Sequence, residues 1–228
     1  MQYGLAGLMA RRALMDNRPW LLLSIVAAVA WYVLRDASFG EEWLVALKAS
    51  GVALLAVYAV LRHPSVDARL LAGVMAASAL GDALVEFDLM LGGQAFFAAH
   101  LVAIWLYLRN RRDTLAASQK ATIAALLLGT PLLSYLLTFE IGVAVYGLAL
   151  GAMAACAWGS RFSRYRVGLG AVLFVVSDLL IFAQAGWADL GAVPGVLIWP
   201  IYYAGQFLIA TGIIQTLRRD RVPADQPA

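Results

Sequence analysis

The sequence predicts an all-α polytopic membrane bundle of about eight transmembrane helices. Composition carries the first part of this: 63% of the 228 residues are hydrophobic, 14% are charged, and the mean hydropathy is +0.79. A soluble domain of this length has too little interior to hide so much apolar surface. The apolar residues also fall in runs long enough to cross a hydrocarbon core of about 30 Å as helices.

In chain order these runs cover residues 19–35, 43–61, 69–86, 90–108, 119–138, 141–158, 168–186 and 195–217. The joints carry turn or charge signals: Arg35 to Glu42, Arg62 to Asp67 around Pro64, Glu86 to Asp88, Arg109 to Lys120, Glu140, Arg161 to Arg166, and Trp187 to Pro194. The joint at Glu86 to Asp88 is the weakest as a full turn. Fifteen of the seventeen Lys and Arg residues, from Arg11 to Arg221, fall on alternate joints; the other joints hold only Arg35, and Lys48 lies inside a span. This positive-inside pattern calls for an even number of crossings with both termini cytoplasmic; the expected location is a bacterial inner membrane. It also accounts for the net charge of +3 and pI near 9.2 without a nucleic-acid partner.

Residues 1–221 read as one transmembrane domain. Residues 1–18 lack the pattern of a removable signal peptide and read as an interfacial segment. Residues 222–228, with Pro223, Asp225, Gln226 and Pro227, read as a disordered cytoplasmic tail. The single cysteine, Cys156, allows neither an internal disulfide nor a multi-thiolate metal site. Gly147 and Gly151, a GxxxG pair, together with Gly168 and Gly170, read as places where helices approach closely.

Within the spans the informative residues are ionisable, because a charge at the bilayer centre costs about 2.5 to 3.5 kcal/mol on insertion scales. They are Lys48, Asp82 with Glu86 and Asp88 at the end of its span, His100 and Asp178. Ser78, Ser177, Gln206, Tyr202, Tyr203, Tyr107 and Tyr146 are neutral groups able to join them. Ser78, Asp82 and Glu86 recur every four residues and share one helix face, as do Tyr202 and Gln206. Counting about 1.5 Å per residue places the set in the central and outer half of the bilayer, where one polar cavity open to the outer leaflet satisfies all of them.

Each has a plainer alternative. Asp82 and Lys48 form a structural salt bridge, His100 bonds a carbonyl, and Glu86 and Asp88 form a solvated turn. Ser177 bonds its own backbone, and Tyr202 and Tyr203 are interfacial aromatics. Asp178, in LFVVSDLLIF without a basic residue in its helix, fits a structural role least.

The segment SALGDALVEFDLMLGGQAFFAAHLVAIWLY, Ser78 to Tyr107, resembles the signature of the YhhN family of lysoplasmalogenase-like membrane proteins. In that signature a GD and an acidic turn lead to F-x-x-x-H. GAVLFVVSDLLIF from Gly170 to Phe182 and YYAGQFLIATG from Tyr202 to Gly212 resemble its later motif, and Lys48 matches its early lysine. The resemblance spans nearly the whole chain. It departs at Ala103, where relatives carry a tyrosine for which Tyr107 stands one turn further on, and at Gln94, where an apolar or small residue is expected.

What the resemblance implies is hydrolysis of the vinyl-ether bond of a lysoplasmalogen, giving a fatty aldehyde and glycerophospho-ethanolamine or -choline. Its partners are that lysophospholipid and membrane lipid, with no cofactor and no metal. Such chemistry needs a carboxylic acid to protonate the β-carbon and a carboxylate to steady the oxocarbenium ion and activate water. Asp82 and Asp178 are the candidate catalytic pair; Lys48, Ser78, Glu86, His100, Tyr202 and Gln206 are the candidate substrate-binding residues. Asp178 is assigned as acid because its helix holds no cation, and Asp82 as base because Lys48 keeps it charged; the roles are exchangeable. Only two histidines, His63 and His100, occur, which argues against a zinc hydrolase, and no GxSxG nucleophile motif is present. A proton-coupled transporter and a non-enzymatic lipid-binding protein are the readings from other classes. No inverted repeat is visible, although Pro131 and Pro200 offer helix breaks.

Overall fold

In the computed structural model, which describes residues 18–37 and 40–221, each apolar run forms one α-helix. These are α1 (Arg18–Leu34), α2 (Glu41–Arg62), α3 (Val66–Leu84), α4 (Leu89–Arg109), α5 (Ala117–Thr138), α6 (Ile141–Gly159), α7 (Leu169–Ala185) and α8 (Val193–Arg219). A wide π-turn, Arg164–Gly168, leads into α7. The tail 222–228, and all but the last residue of the expected interfacial segment, lie outside the described residues.

Among the described residues six spans are both long and apolar enough to cross a membrane, α7 being counted together with the π-turn before it as Arg164–Ala185, and the chain is an integral membrane protein built as a polytopic helical bundle. The other two fall short for separate reasons. α1 has 17 residues, about 25 Å of helix, and α3 carries Asp67, Arg69 and Asp82.

Local chemistry fixes the reversals. Ser65 caps α3 by accepting from Ala68 N at 3.2 Å, directly after Pro64, whose missing N–H favours a break there. The joint expected to be weakest is a full turn. Asp88 accepts from Met90 N at 2.7 Å and Leu91 N at 3.0 Å, and Gly92 lies so close to α3 that a Cβ there would sit 2.7 Å from Val85 N. Neither Pro131 nor Pro200 breaks its helix. Pro200 has no N–H to offer Val196 O, and the Tyr32 hydroxyl of α1 donates to that carbonyl instead at 3.0 Å.

The basic joints gather at one end and are clasped there. Arg112 donates to Ser160 O at 2.6 Å and Phe162 O at 3.1 Å, and Arg161 donates to Asn110 Oδ1 at 2.7 Å and pairs with Asp220 at 2.5 Å. Arg109 pairs with Asp67 at 3.3 Å. Sequential helices therefore alternate in direction.

α8 packs against α1, α2, α3 and α7. Its approach to α7 depends on two glycines: a Cβ at Gly170 would lie 2.7 Å from Gly205 O, and one at Gly205 would lie 2.7 Å from Gly170 O. The two backbones touch there, which sets the helices carrying Asp178 and Tyr202 side by side. Gly147 and Gly151 meet Ser134, Thr130 and Leu126 of α5 in the same manner.

Candidate functional site

The α3 stripe faces inward. Ser78 and Asp82 are buried, and Asp82 is 2% exposed; Gly81 beside it makes room for the Phe96 ring of α4. From α8, the Tyr202 hydroxyl donates to Asp82 Oδ2 at 2.9 Å, and Gln206 Nε2 donates to the Tyr202 oxygen at 3.3 Å. α3 and α8 run in opposite directions, so Ser78 and Gln206 each lie one turn toward the basic end from the Asp82–Tyr202 bond. Ser78 Oγ and Gln206 Oε1 are buried without a hydrogen-bond partner among the described residues.

Asp178 belongs to a second arm. It is 6% exposed, and the Tyr146 hydroxyl of α6 donates to its Oδ2 at 2.8 Å. His100 Nε2 lies 3.1 Å from the same hydroxyl oxygen. Tyr146 has one proton and gives it to Asp178, so His100 is the donor here and carries its proton on Nε2. The neighbouring Ser177 hydroxyl reaches across to Ile198 O of α8 at 3.1 Å rather than to its own helix.

Aromatic rings join the arms. Phe174 of α7 stands edge-to-face on His100 and on Tyr202, with centroids 5.1 Å away in both cases, and Phe96 touches Phe174 and Tyr202 at 5.9 and 5.8 Å. The backbones of α4 and α7 do not approach one another; these rings fill the space between them. Asp82 and Asp178 are thus linked through Tyr202, Phe174, His100 and Tyr146.

Several of the plainer alternatives are corrected. Lys48 does not pair with Asp82: its ion partner is Glu86. Glu86 is accordingly more than a solvated turn, while Asp88 is the cap of α4. Tyr202 is buried on Asp82, and Tyr203 shares a 2.7 Å hydrogen bond with Ser24, so neither is merely interfacial. His100 bonds a tyrosine rather than a carbonyl. Tyr107 does not stand in for the absent tyrosine at Ala103; it is buried against Phe162, and the hydroxyl beside His100 comes from Tyr146. That residue had signalled only as a neutral polar group in an apolar run.

Compared with known proteins, the chain is matched by the model of the YhhN family over residues 43–213, three quarters of its length. No curated protein and no solved structure matches it.

Proposed function

Because the chain belongs to the YhhN family, we propose that it hydrolyses the vinyl ether of lysoplasmalogens. The observation that carries this reading is the pair of buried carboxylates, Asp82 and Asp178, each held by one tyrosine hydroxyl, with Phe174 packed between the two arms on His100 and Tyr202. One oxygen of each carboxyl group is tied to its tyrosine, which leaves the other for proton transfer.

Asp178, as the acid, gives its proton to the β-carbon of the vinyl ether, and an oxocarbenium ion forms at the α-carbon. Asp82, as the carboxylate, steadies that cation. Water held by Ser78 Oγ and Gln206 Oε1 adds to the cation and loses a proton to Asp82, which gives a hemiacetal. In its collapse the hemiacetal hydroxyl returns a proton to Asp178, while Asp82 protonates the departing glycerol oxygen. One water is consumed, and the aldehyde and the glycerol hydroxyl are released.

The test is purified protein in detergent, supplied with lysoplasmalogen, with aldehyde measured in the absence of any ion gradient. Steady release supports the hydrolase; its absence in folded protein favours a transporter or binding protein. Tyr146 acts by positioning Asp178, with His100 holding Tyr146 in turn. Tyr146→Phe is expected to lower kcat by up to about 10²-fold while KM changes little. Unchanged kcat would remove the tyrosine from the scheme.

The basic clasp faces the cytoplasm in this proposal, with residues 1–221 forming one domain in a bacterial inner membrane and both termini inside. A reporter fused after Arg221 is expected to read as cytoplasmic. A periplasmic signal would invert the orientation.

A further inference from the structure

At the end of the bundle opposite the basic clasp, Lys48 of α2 and Glu86 after α3 form an ion pair. Its setting is unusual. The Lys48 side chain is 13% exposed and that of Glu86 38%, and Lys48 Nζ stands 4.9 Å from the Trp31 ring centroid and 5.8 Å from that of Trp199. Trp199 in turn packs on Tyr202 at 5.6 Å, and Tyr202 holds Asp82. Two opposite charges, an aromatic wall and an accessible side therefore sit directly above one of the carboxylates.

The pairing restricts what such a place accepts. An anion taking Lys48 alone would strand Glu86, and a cation taking Glu86 alone would strand Lys48, each at the cost of an uncompensated charge in a poorly hydrated site. A ligand carrying both charges exchanges one ion pair for two and strands neither. The tryptophan faces, which carry the lysine ammonium in the resting pair, accept a ligand ammonium by the same attraction.

We propose that Lys48, Glu86, Trp31 and Trp199 form a head-group subsite for a phosphodiester linked to an ammonium, with phosphate on Lys48 and ammonium on Glu86 and the tryptophans. Glu86 lies one helical turn, about 6 Å, outward of Asp82, the scale of the glycerol unit between the ether and the phosphate. The identity of the rest of the ligand rests on the lysoplasmalogen reading; the head-group chemistry comes from the pair itself.

The probe is a 1-O-alkyl-glycerophosphocholine, which carries the head group without a vinyl ether to cleave. Its binding to the purified full chain in detergent is compared by calorimetry with that of the matched alkyl-glycerol 3-phosphate, which carries phosphate alone. The wild type is expected to favour the phosphocholine probe by about tenfold, the scale of one desolvated cation–aromatic contact. Glu86→Gln erases that preference, Glu86→Asp keeps part of it and serves if the first variant is not monodisperse, and Lys48→Met weakens both probes. Displacement of the lipid by an equal concentration of water-soluble glycerophosphocholine supports the subsite with a soluble ligand, whereas failure to displace supports it with a lipid. Equal binding of the two probes by the wild type, or an undiminished preference in Glu86→Gln, overturns the subsite. A preserved preference without vinyl-ether hydrolysis leaves the subsite standing and removes the hydrolase; hydrolysis without preference does the reverse.

Discussion

Asp178→Asn is expected to lower aldehyde release by about 10²- to 10⁴-fold, the usual contribution of a positioned general acid. Asparagine keeps the shape of the side chain, and its carbonyl still accepts from Tyr146, so the α6–α7 contact survives. What it lacks is a proton to transfer. The yield of monodisperse protein should therefore match the wild type while kcat falls. Near wild-type turnover would take Asp178 out of the proton-transfer step and leave its hydrogen bond a structural one.

Asp82→Asn should reduce turnover on the same scale, because the amide neither steadies a cation nor takes a proton from water. Here the geometry changes what stability should do. Had Lys48 depended on Asp82, neutralising the aspartate would break a buried pair and cost about 3 to 5 kcal/mol. Its ion partner is Glu86, so Asp82→Asn should retain its yield, with Tyr202 still donating to the amide oxygen. A large loss of folded protein, restored by adding Lys48→Met, would instead mean that the attraction between Lys48 and Asp82 holds the fold. Hydrolysis at near wild-type rates by both asparagine variants would exclude the two-carboxylate mechanism.

The helices were legible because hydrocarbon makes one demand on a long stretch of chain, and apolar runs ended by Pro64, Asp88 or clustered arginines answer it visibly. Partner choice was less legible. Asp82 and Glu86 lie on one face a single turn apart, and a count of residues cannot tell which of them a lysine from another helix reaches. The same spacing placed Tyr202 beside Gln206 correctly but left open that its hydroxyl is spent on Asp82. Tyr146 was harder still. An uncharged tyrosine in an apolar helix costs little to insert, so its own segment marks it as a polar group and no more; only the approach of α6 to α4 and α7 gives it His100 and Asp178. Phe96 and Phe174, which join the two arms, have ordinary core composition.

The wide turn at Arg164–Gly168 bears on the angular phase of Asp178. Each residue of a regular helix rotates the next by about 100°, so the direction of a side chain ten residues in depends on where the coil began. A π-turn holds one residue more than an α-turn needs; here Ser163 O accepts from Val167 at 2.7 Å and, more weakly, from Gly168 at 3.4 Å. Beyond it the Gly170–Gly205 contact fixes the rotation of α7 against α8. The turn thus takes up surplus chain between the clasp at the basic end and the glycine contact, and the azimuth of Asp178 is decoupled from the length of the loop before it.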